Sequence, residues 1–170
     1  ILSLVITYLL RRTIDRASEE RQETAKRLRQ TIENFKETDI VRLLLEYPQL
    51  LSYLLQKEIE SIESNPEFEG ARPDLIAYSE DGGEIIIEIK YGRTGSNSIK
   101  KPGLEQIQQY MEKYQPDRNT ELTGYLINII GGEIFVSELK DTKVQKQYRY
   151  EVEELVSEHP NINFEQIIDF

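Results

Sequence analysis

The pattern of apolar and polar positions predicts a β-hairpin in the middle of the chain. Residues 75–78 and 84–90 are two short apolar runs, the second of them rich in isoleucine, and Gly82 and Gly83 lie between them. Paired glycines are typical of the tight turn that joins two antiparallel strands. A run as apolar as the second one is typical of a central strand that is buried on both faces.

The second predicted strand carries two charges on one face. Because side chains in a strand alternate between its faces, Glu88 and Lys90 share one face. The opposite face carries Ile85, Ile87 and Ile89. An unpaired charge in a buried strand is very costly. The charged face is therefore expected to meet a metal ion, a phosphate group or its own opposite charge.

A third charged residue, Asp74, stands at the entrance to the first strand of the hairpin. Two carboxylates supply the hard oxygen ligands that Mg²⁺ prefers. Bound Mg²⁺ lowers the pKa of a water molecule and offsets charge on a phosphorane. Lys90 is suited to orienting that water or neutralising the transition state. Asp74, Glu88 and Lys90 together predict metal-assisted hydrolysis of a phosphodiester.

A helix with its own polar face is predicted at residues 104–111. Gln106 and Tyr110 are four positions apart, so they lie on the same side of the helix. Ile107 and Met111 lie about 100° around the helix and are expected to face the sheet. The helix is thus predicted to present Gln106 and Tyr110 to the site formed by the hairpin.

These motifs resemble those of the PD-(D/E)XK nuclease superfamily. The resemblance rests on Pro73-Asp74, on the Glu-x-Lys motif at residues 88–90, and on a Gln-hydrophobic-x-x-Tyr motif at residues 106–110. The last motif is similar to that of the RecB-like and NucS-like branch. The resemblance spans residues 37–140. It implies a restriction-endonuclease-like α/β fold, with a mixed central sheet flanked by helices and a helical N-terminal extension.

The function implied by the resemblance is Mg²⁺-dependent or Mn²⁺-dependent cleavage of DNA. It implies Asp74, Glu88 and Ile89 as metal-binding positions and Lys90 as a catalytic residue. Two alternatives remain open on the same core. One is a resolvase for Holliday junctions or other branched DNA, and the other is an inactive module that binds nucleic acid or scaffolds a protein partner.

The resemblance also implies residues around the metal. Members of the superfamily often add an acid from a preceding helix, and Glu37 is the first candidate, followed by Glu46 and Glu58. Gln106 and Tyr110 are expected to act in catalysis and to approach the DNA backbone. The complete set of predicted DNA-binding residues is Arg72, Arg93, Lys100, Lys101, Gln106 and Tyr110.

Charge and composition narrow these options. The net charge is −10, which disfavours unspecific binding of nucleic acid. Residues 90–118 nevertheless carry six Lys/Arg against three Asp/Glu, so a limited basic footprint beside the site is predicted. The absence of cysteine and the presence of one histidine, His159, exclude thiolate metal sites and disfavour a zinc centre.

The sequence is expected to divide into three parts. These are a helical extension at residues 1–36, a nuclease core at 37–140 and an acidic elaboration at 141–170. The extension carries apolar residues at positions 25, 28, 32 and 35, a spacing that fits packing against its own domain or a homodimer contact. Its first ten residues are apolar and precede Arg11 and Arg12. Burial in the domain or a dimer is favoured there over the inner end of a membrane span. A cytoplasmic location is expected, with a tether through sequence upstream of Ile1 as the alternative.

Further elements are predicted around the site. Residues 38–63 are expected to form two helices, broken at Tyr47-Pro48. A second hairpin is expected across Gly131-Gly132, a helix near residues 150–158, and a short element at residues 164–168.

Overall fold

The fold is a mixed six-stranded sheet with helices on both faces. The computed structural model describes residues 2–92, 100–116 and 120–169. The strands lie side by side in chain order, and every neighbouring pair is antiparallel except β3 and β4, which are parallel. The predicted α/β class, with a central mixed sheet and an N-terminal helix, is confirmed.

Six helices and six strands make up the described chain. The helices are α1 (Leu2–Ile32), α2 (Glu37–Glu46), α3 (Pro48–Leu55), α4 (Lys100–Lys113), α5 (Val152–Glu158) and α6 (Phe164–Ile168). The strands are β1 (Ile59–Ser64), β2 (Leu75–Ser79), β3 (Glu84–Gly92), β4 (Leu122–Ile130), β5 (Glu133–Lys140) and β6 (Lys143–Glu151).

Both predicted hairpins are present. Strands β2 and β3 pair antiparallel with Leu75 opposite Ile87, and β4 pairs with β5 across a glycine turn. Gly131 and Gly132 adopt φ values of 58° and 77°, a left-handed backbone that glycine adopts without the steric cost of a Cβ atom. The break between α2 and α3 falls at Tyr47, with Pro48 as the first residue of α3.

The two faces of the sheet have separate apolar clusters. The larger cluster lies under α1, α2, α3, α5 and α6 and includes Ile85, Ile87 and Ile89. The smaller cluster lies under α4 and includes Ile86, Ile107 and Met111. A Cβ atom at Gly124 would come within 2.5 Å of the Met111 sulfur, so this glycine allows α4 to pack closely on β4.

The expectation of two helices up to residue 63 is wrong at its end, because residues 59–64 form strand β1. Ile59 and Ile62 are three positions apart, which suits a helix face. In the structure a shift of register between Ile59 and Ser61 changes the alternation of the strand, and both isoleucines pack against the larger cluster. A bulge of this kind mimics helical spacing in the sequence.

The helix expected near residues 150–158 is present as α5 and begins two residues later, at Val152, because Tyr150 lies in strand β6. Strand β6 is an exposed edge strand that follows a turn at Asp141 and Thr142, both with positive φ. Polar residues occupy both of its faces, so it lacks the apolar alternation of a half-buried strand. The short element at residues 164–168 is present as α6.

Helix α1 is divided between a buried and an exposed part. Ala25, Leu28 and Ile32 are at most 3% exposed, and they belong to the larger cluster with Phe35. These positions therefore pack against their own domain. Burial of the N-terminal part in the domain was one of the two favoured expectations, and it is wrong, since the side chains of residues 5–14 are exposed. Within the described ranges, no helix is long and apolar enough to cross a membrane.

Candidate active site

The hairpin brings the first two predicted carboxylates together. Leu75 pairs with Ile87, so Asp74 lies opposite Glu88, and opposite residues of an antiparallel pair project to the same face of the sheet. Asp74 Oδ2 accepts a hydrogen bond of 2.7 Å from the Ile89 N–H. This bond holds the aspartate against the end of β2, next to the charged face of β3.

Glu88 is a buried carboxylate with one oxygen in use. Glu88 is 2% exposed, and its Oε1 accepts a hydrogen bond of 2.6 Å from Lys90 Nζ. Its Oε2 is buried without a hydrogen-bond partner among the described residues. Burial raises the pKa of Glu88 to about 7, in spite of the hydrogen bond from Lys90.

The pKa values of Asp74 and Lys90 are shifted by the same surroundings. Burial raises the pKa of Asp74, although the Ile89 N–H and the charge of Lys90 oppose this change. Burial has the largest single effect on Lys90 and disfavours its ammonium form, but the hydrogen bond with Glu88 and the surrounding carboxylate charges together outweigh burial, so the pKa of Lys90 is raised. The lysine is charged because it faces an excess of carboxylates.

Of the three candidate helix acids, Glu37 lies close enough to Asp74 and Glu88 to act on them electrostatically. It is the first residue of α2, and its Oε1 accepts a hydrogen bond of 3.4 Å from the Tyr91 N–H. Its charge contributes to the raised pKa of Asp74 and of Glu88. Glu46 is exposed at the far end of α2. Glu58 precedes β1 at the end that pairs with Ser79, away from Asp74.

The metal-binding position predicted at Ile89 concerns its main chain, since its side chain belongs to the larger apolar cluster. The N–H and C=O of one strand residue point to the same side. Because the Ile89 N–H is directed at Asp74, the Ile89 carbonyl points to the same side of β3, toward Asp74. No group of three or more His, Cys, Asp or Glu side chains within the described ranges is arranged as a metal site.

The residues present fit a small divalent cation. Three carboxylates, from Asp74, Glu88 and Glu37, influence one another and face the single ammonium of Lys90. This imbalance is costly at a buried position, and a hard divalent ion with oxygen ligands would relieve it. Glu88 Oε2, which has no hydrogen-bond partner in the described part of the chain, is the available ligand atom.

Helix α4 presents its two polar residues as the sequence indicates. Gln106 Nε2 donates a hydrogen bond of 2.6 Å to Tyr110 Oη, and Tyr110 Oη donates one of 3.3 Å to the Arg72 carbonyl. Burial raises the pKa of Tyr110, and the charges of Glu88 and Asp74 add to this effect. Ile107 and Met111 face the sheet, where they are 0% and 7% exposed.

Asn128 lies beside the site and was not among the predicted residues. It is the register neighbour of Lys90 on β4, so its side chain is on the same face of the sheet. It is 2% exposed, and its Oδ1 has no hydrogen-bond partner among the described residues. The available signal was a single amide within the apolar run of residues 125–130.

The predicted DNA-binding residues are only partly described. Arg72 is 72% exposed and pairs with Glu67 at 2.9 Å, and Lys101 is 87% exposed at the start of α4. Arg93 lies outside the described residues, and so does the side chain of Lys100. Arg72 and Lys101 are accessible to a polyanion.

Comparison with known proteins gives weak structural likenesses. No protein-family model and no curated protein matches the chain. A repair endonuclease from Pyrococcus abyssi is similar in structure over 57% of this chain and 39% of its own, with 13% identity and a TM-score of 0.41. The chain thus spans less than half of that endonuclease. The structure of SSO0001 is similar over 80% and 82% of the two chains, with 18% identity and a TM-score of 0.29.

Proposed function

We propose that this protein is a divalent-metal-dependent nuclease of the PD-(D/E)XK type that hydrolyses phosphodiester bonds in DNA. The observation that carries the proposal is the half-buried Asp74 opposite the buried Glu88, whose second oxygen has no partner among the described residues and whose first oxygen is bonded to the Lys90 ammonium. A structural ion pair would satisfy both carboxylate oxygens and would not need the second acid.

Asp74 and Glu88 would hold Mg²⁺ or Mn²⁺, with the Ile89 carbonyl as a further oxygen ligand. When bound, such an ion supplies positive charge to the phosphate and lowers the pKa of a water molecule. Asp74 is oriented for this role by the Ile89 N–H. Glu37 adds negative charge that favours cation binding.

Lys90 would act at the attacked phosphate. Its Nζ is held at 2.6 Å from Glu88 Oε1, so the ammonium is fixed next to the proposed metal ligands. An ammonium in this position can orient the attacking water or offset charge that develops on the phosphate oxygens. Such fixed charges act strongly where water is largely excluded, and the Lys90 side chain is 20% exposed.

Gln106 and Tyr110 would position the DNA backbone. They form a hydrogen-bonded pair on the face of α4 that is turned toward the charged residues. Arg72 adjoins them through its carbonyl group, and its exposed guanidinium can contact a phosphate. Together with Lys101, this arrangement supports a short basic footprint on an otherwise acidic protein.

The direct experiment is a plasmid-nicking assay with Mg²⁺, Mn²⁺ or a chelator. Wild-type protein is expected to cut only with metal, and Asp74→Asn and Lys90→Ala are expected to lower the rate at least about 100-fold. Glu138→Gln is the matched control, because Glu138 is also buried but accepts a hydrogen bond from Tyr125 on the other face of the sheet.

Further outcomes separate the alternatives. Preference for a four-way junction over linear duplex would assign the site to branched DNA. Tight DNA binding without cleavage under any metal would identify a binding module and overturn the nuclease proposal. Equal rates in wild-type and Asp74→Asn would also overturn it.

A further inference from the structure

The N-terminal part of α1 displays a dense group of exposed apolar side chains. Seven large hydrophobic side chains are exposed in the described chain, and six of them lie between residues 5 and 14 of α1. The six, here called the apolar tip, are Val5, Ile6, Tyr8, Leu9, Leu10 and Ile14, with exposed fractions of 49% to 66%. Exposed apolar surface that is concentrated in this way is typical of a site of interaction with a protein or a membrane.

The arrangement of the apolar tip around the helix distinguishes between kinds of partner. At about 100° per residue, the six side chains cover an arc of about 240°. A helix that pairs with a second copy needs only a narrow stripe at three- and four-residue spacing. Apolar groups in so many directions suit an environment that surrounds the helix, which is the property of a lipid phase.

A collar of positive charge adjoins the apolar tip. Arg11 and Arg12 follow Leu10 directly, and residues 1–14 contain no acidic residue. Arginine side chains at such a boundary extend to lipid phosphates while their aliphatic parts remain in the apolar layer. Residues 1–36 carry eight Lys/Arg against five Asp/Glu, although the whole chain has a net charge of −10. The positive end of the molecule is therefore complementary to an anionic surface.

The length of α1 keeps the acidic domain away from such a surface. Ala25 is the first buried residue after the apolar tip, and it follows Leu10 by fifteen positions, or about 22 Å along the axis. This separation exceeds the distance of about 8 Å over which charges act at physiological ionic strength. Repulsion between the domain and an anionic bilayer is thus weak.

We propose that the apolar tip docks into the surface layer of an anionic lipid bilayer, with Arg11 and Arg12 at the headgroup phosphates. The inference is independent of the nuclease proposal, because it uses no residue of the candidate active site. No helix of the described residues is long and apolar enough to cross a bilayer. Burial of the apolar side chains and attraction of the two arginines to anionic headgroups would both contribute to the docking.

The test uses sedimentation of the full chain with vesicles of phosphatidylcholine alone or with added phosphatidylglycerol. The wild-type protein is expected to sediment with the anionic vesicles. Each basic residue near such a surface contributes about fivefold, so Arg11→Gln with Arg12→Gln should weaken binding about 25-fold. Leu9→Gln with Leu10→Gln should abolish it at the same vesicle concentration. Val144→Gln changes an exposed apolar residue of β6 and should bind like wild type.

A spectroscopic probe tests the position of the apolar tip. The chain has no tryptophan, so Tyr8→Trp provides a single reporter, whose emission should shift to the blue and be quenched by brominated lipid. Absence of both vesicle binding and the shift would overturn the proposal. A dimer in light scattering without vesicle binding, converted to a monomer by Leu9→Gln with Leu10→Gln, would overturn it in favour of a second copy.

Discussion

Replacing Glu88 by glutamine is expected to stabilise the metal-free protein while removing the proposed cleavage activity. The pKa of Glu88 is raised from 4.5 to about 7 because the carboxylate is buried. The folded state therefore holds the proton more tightly than the unfolded state does. Stability from this group is complete below pH 4.5 and is lost as the pH rises through about 7.

The magnitude follows from this displacement of the pKa. Each tenfold change in acidity corresponds to about 1.4 kcal/mol, so at pH 8 the ionised Glu88 costs the folded state about 3 kcal/mol. That cost already includes the hydrogen bond from Lys90, which opposes the rise in the pKa of Glu88, and the Lys90 ammonium can still donate to a glutamine amide oxygen. A gain of about 3 kcal/mol is expected for Glu88→Gln.

The assay is urea denaturation at pH 8, with chelator and then with Mg²⁺. Glu88→Gln should be more stable than wild type in chelator and should lose the stabilisation that Mg²⁺ gives to wild type. Glu138→Gln is the control, since its carboxylate accepts a hydrogen bond from Tyr125, and no gain is expected. A loss of 1 kcal/mol or more for Glu88→Gln in chelator would refute the reasoning.

Three further predictions concern single side chains. Gln106→Ala should lower cleavage at least tenfold but cost only about 1 kcal/mol of stability. Ile107→Ala, at a fully buried position, should cost about 2–4 kcal/mol of stability, the usual range for such truncations. Equal losses of stability in the two variants would indicate an ordinary core helix. Asn128→Leu should keep or raise stability, because Oδ1 is buried with no partner within the described ranges, and should slow cleavage. An unchanged rate would separate Asn128 from the site. Burial lowers the pKa of His159, so its contribution to stability should be complete above pH 6.5 and fall as the pH decreases below it; proton NMR of this single histidine measures the pKa, and a value of 6.5 or higher would contradict the prediction.

The sequence was sufficient for the centre of the fold. Alternation of Glu88 and Lys90 with three isoleucines predicted which side of β3 is buried in the larger cluster. The paired glycines predicted both hairpins. These features depend on neighbouring residues and on the period of a strand, so they can be recognised without knowledge of the tertiary structure.

The two strands that the sequence did not indicate, β1 and β6, depend on pairing with a neighbouring strand. Strand β1 has the apolar spacing of a helix because of its bulge, and the exposed strand β6 is stabilised by β5 more than by burial of its own side chains. The partner of α1 was equally hidden, since the spacing of Ala25, Leu28 and Ile32 fits any apolar surface. Tertiary contacts decide such cases.

The candidate site shows the same limit. Its order along β2, β3 and α4 followed from the sequence, but only the packing of α2 on the sheet selects Glu37 over Glu46 and Glu58. Asn128 was overlooked because it belongs to no motif and enters the site through the parallel pairing of β3 with β4. Register between distant strands cannot be read from either segment alone.

Binding of Mn²⁺ tests the central claim most directly, because it requires neither a DNA substrate nor turnover. Electron paramagnetic resonance of the full chain at pH 8 should show one Mn²⁺ bound per chain, displaced by Mg²⁺. The tight site should be lost in Asp74→Asn and retained in Glu138→Gln. Equal Mn²⁺ binding by wild type and Asp74→Asn, or no tight binding by wild type, would contradict a metal site at Asp74 and Glu88.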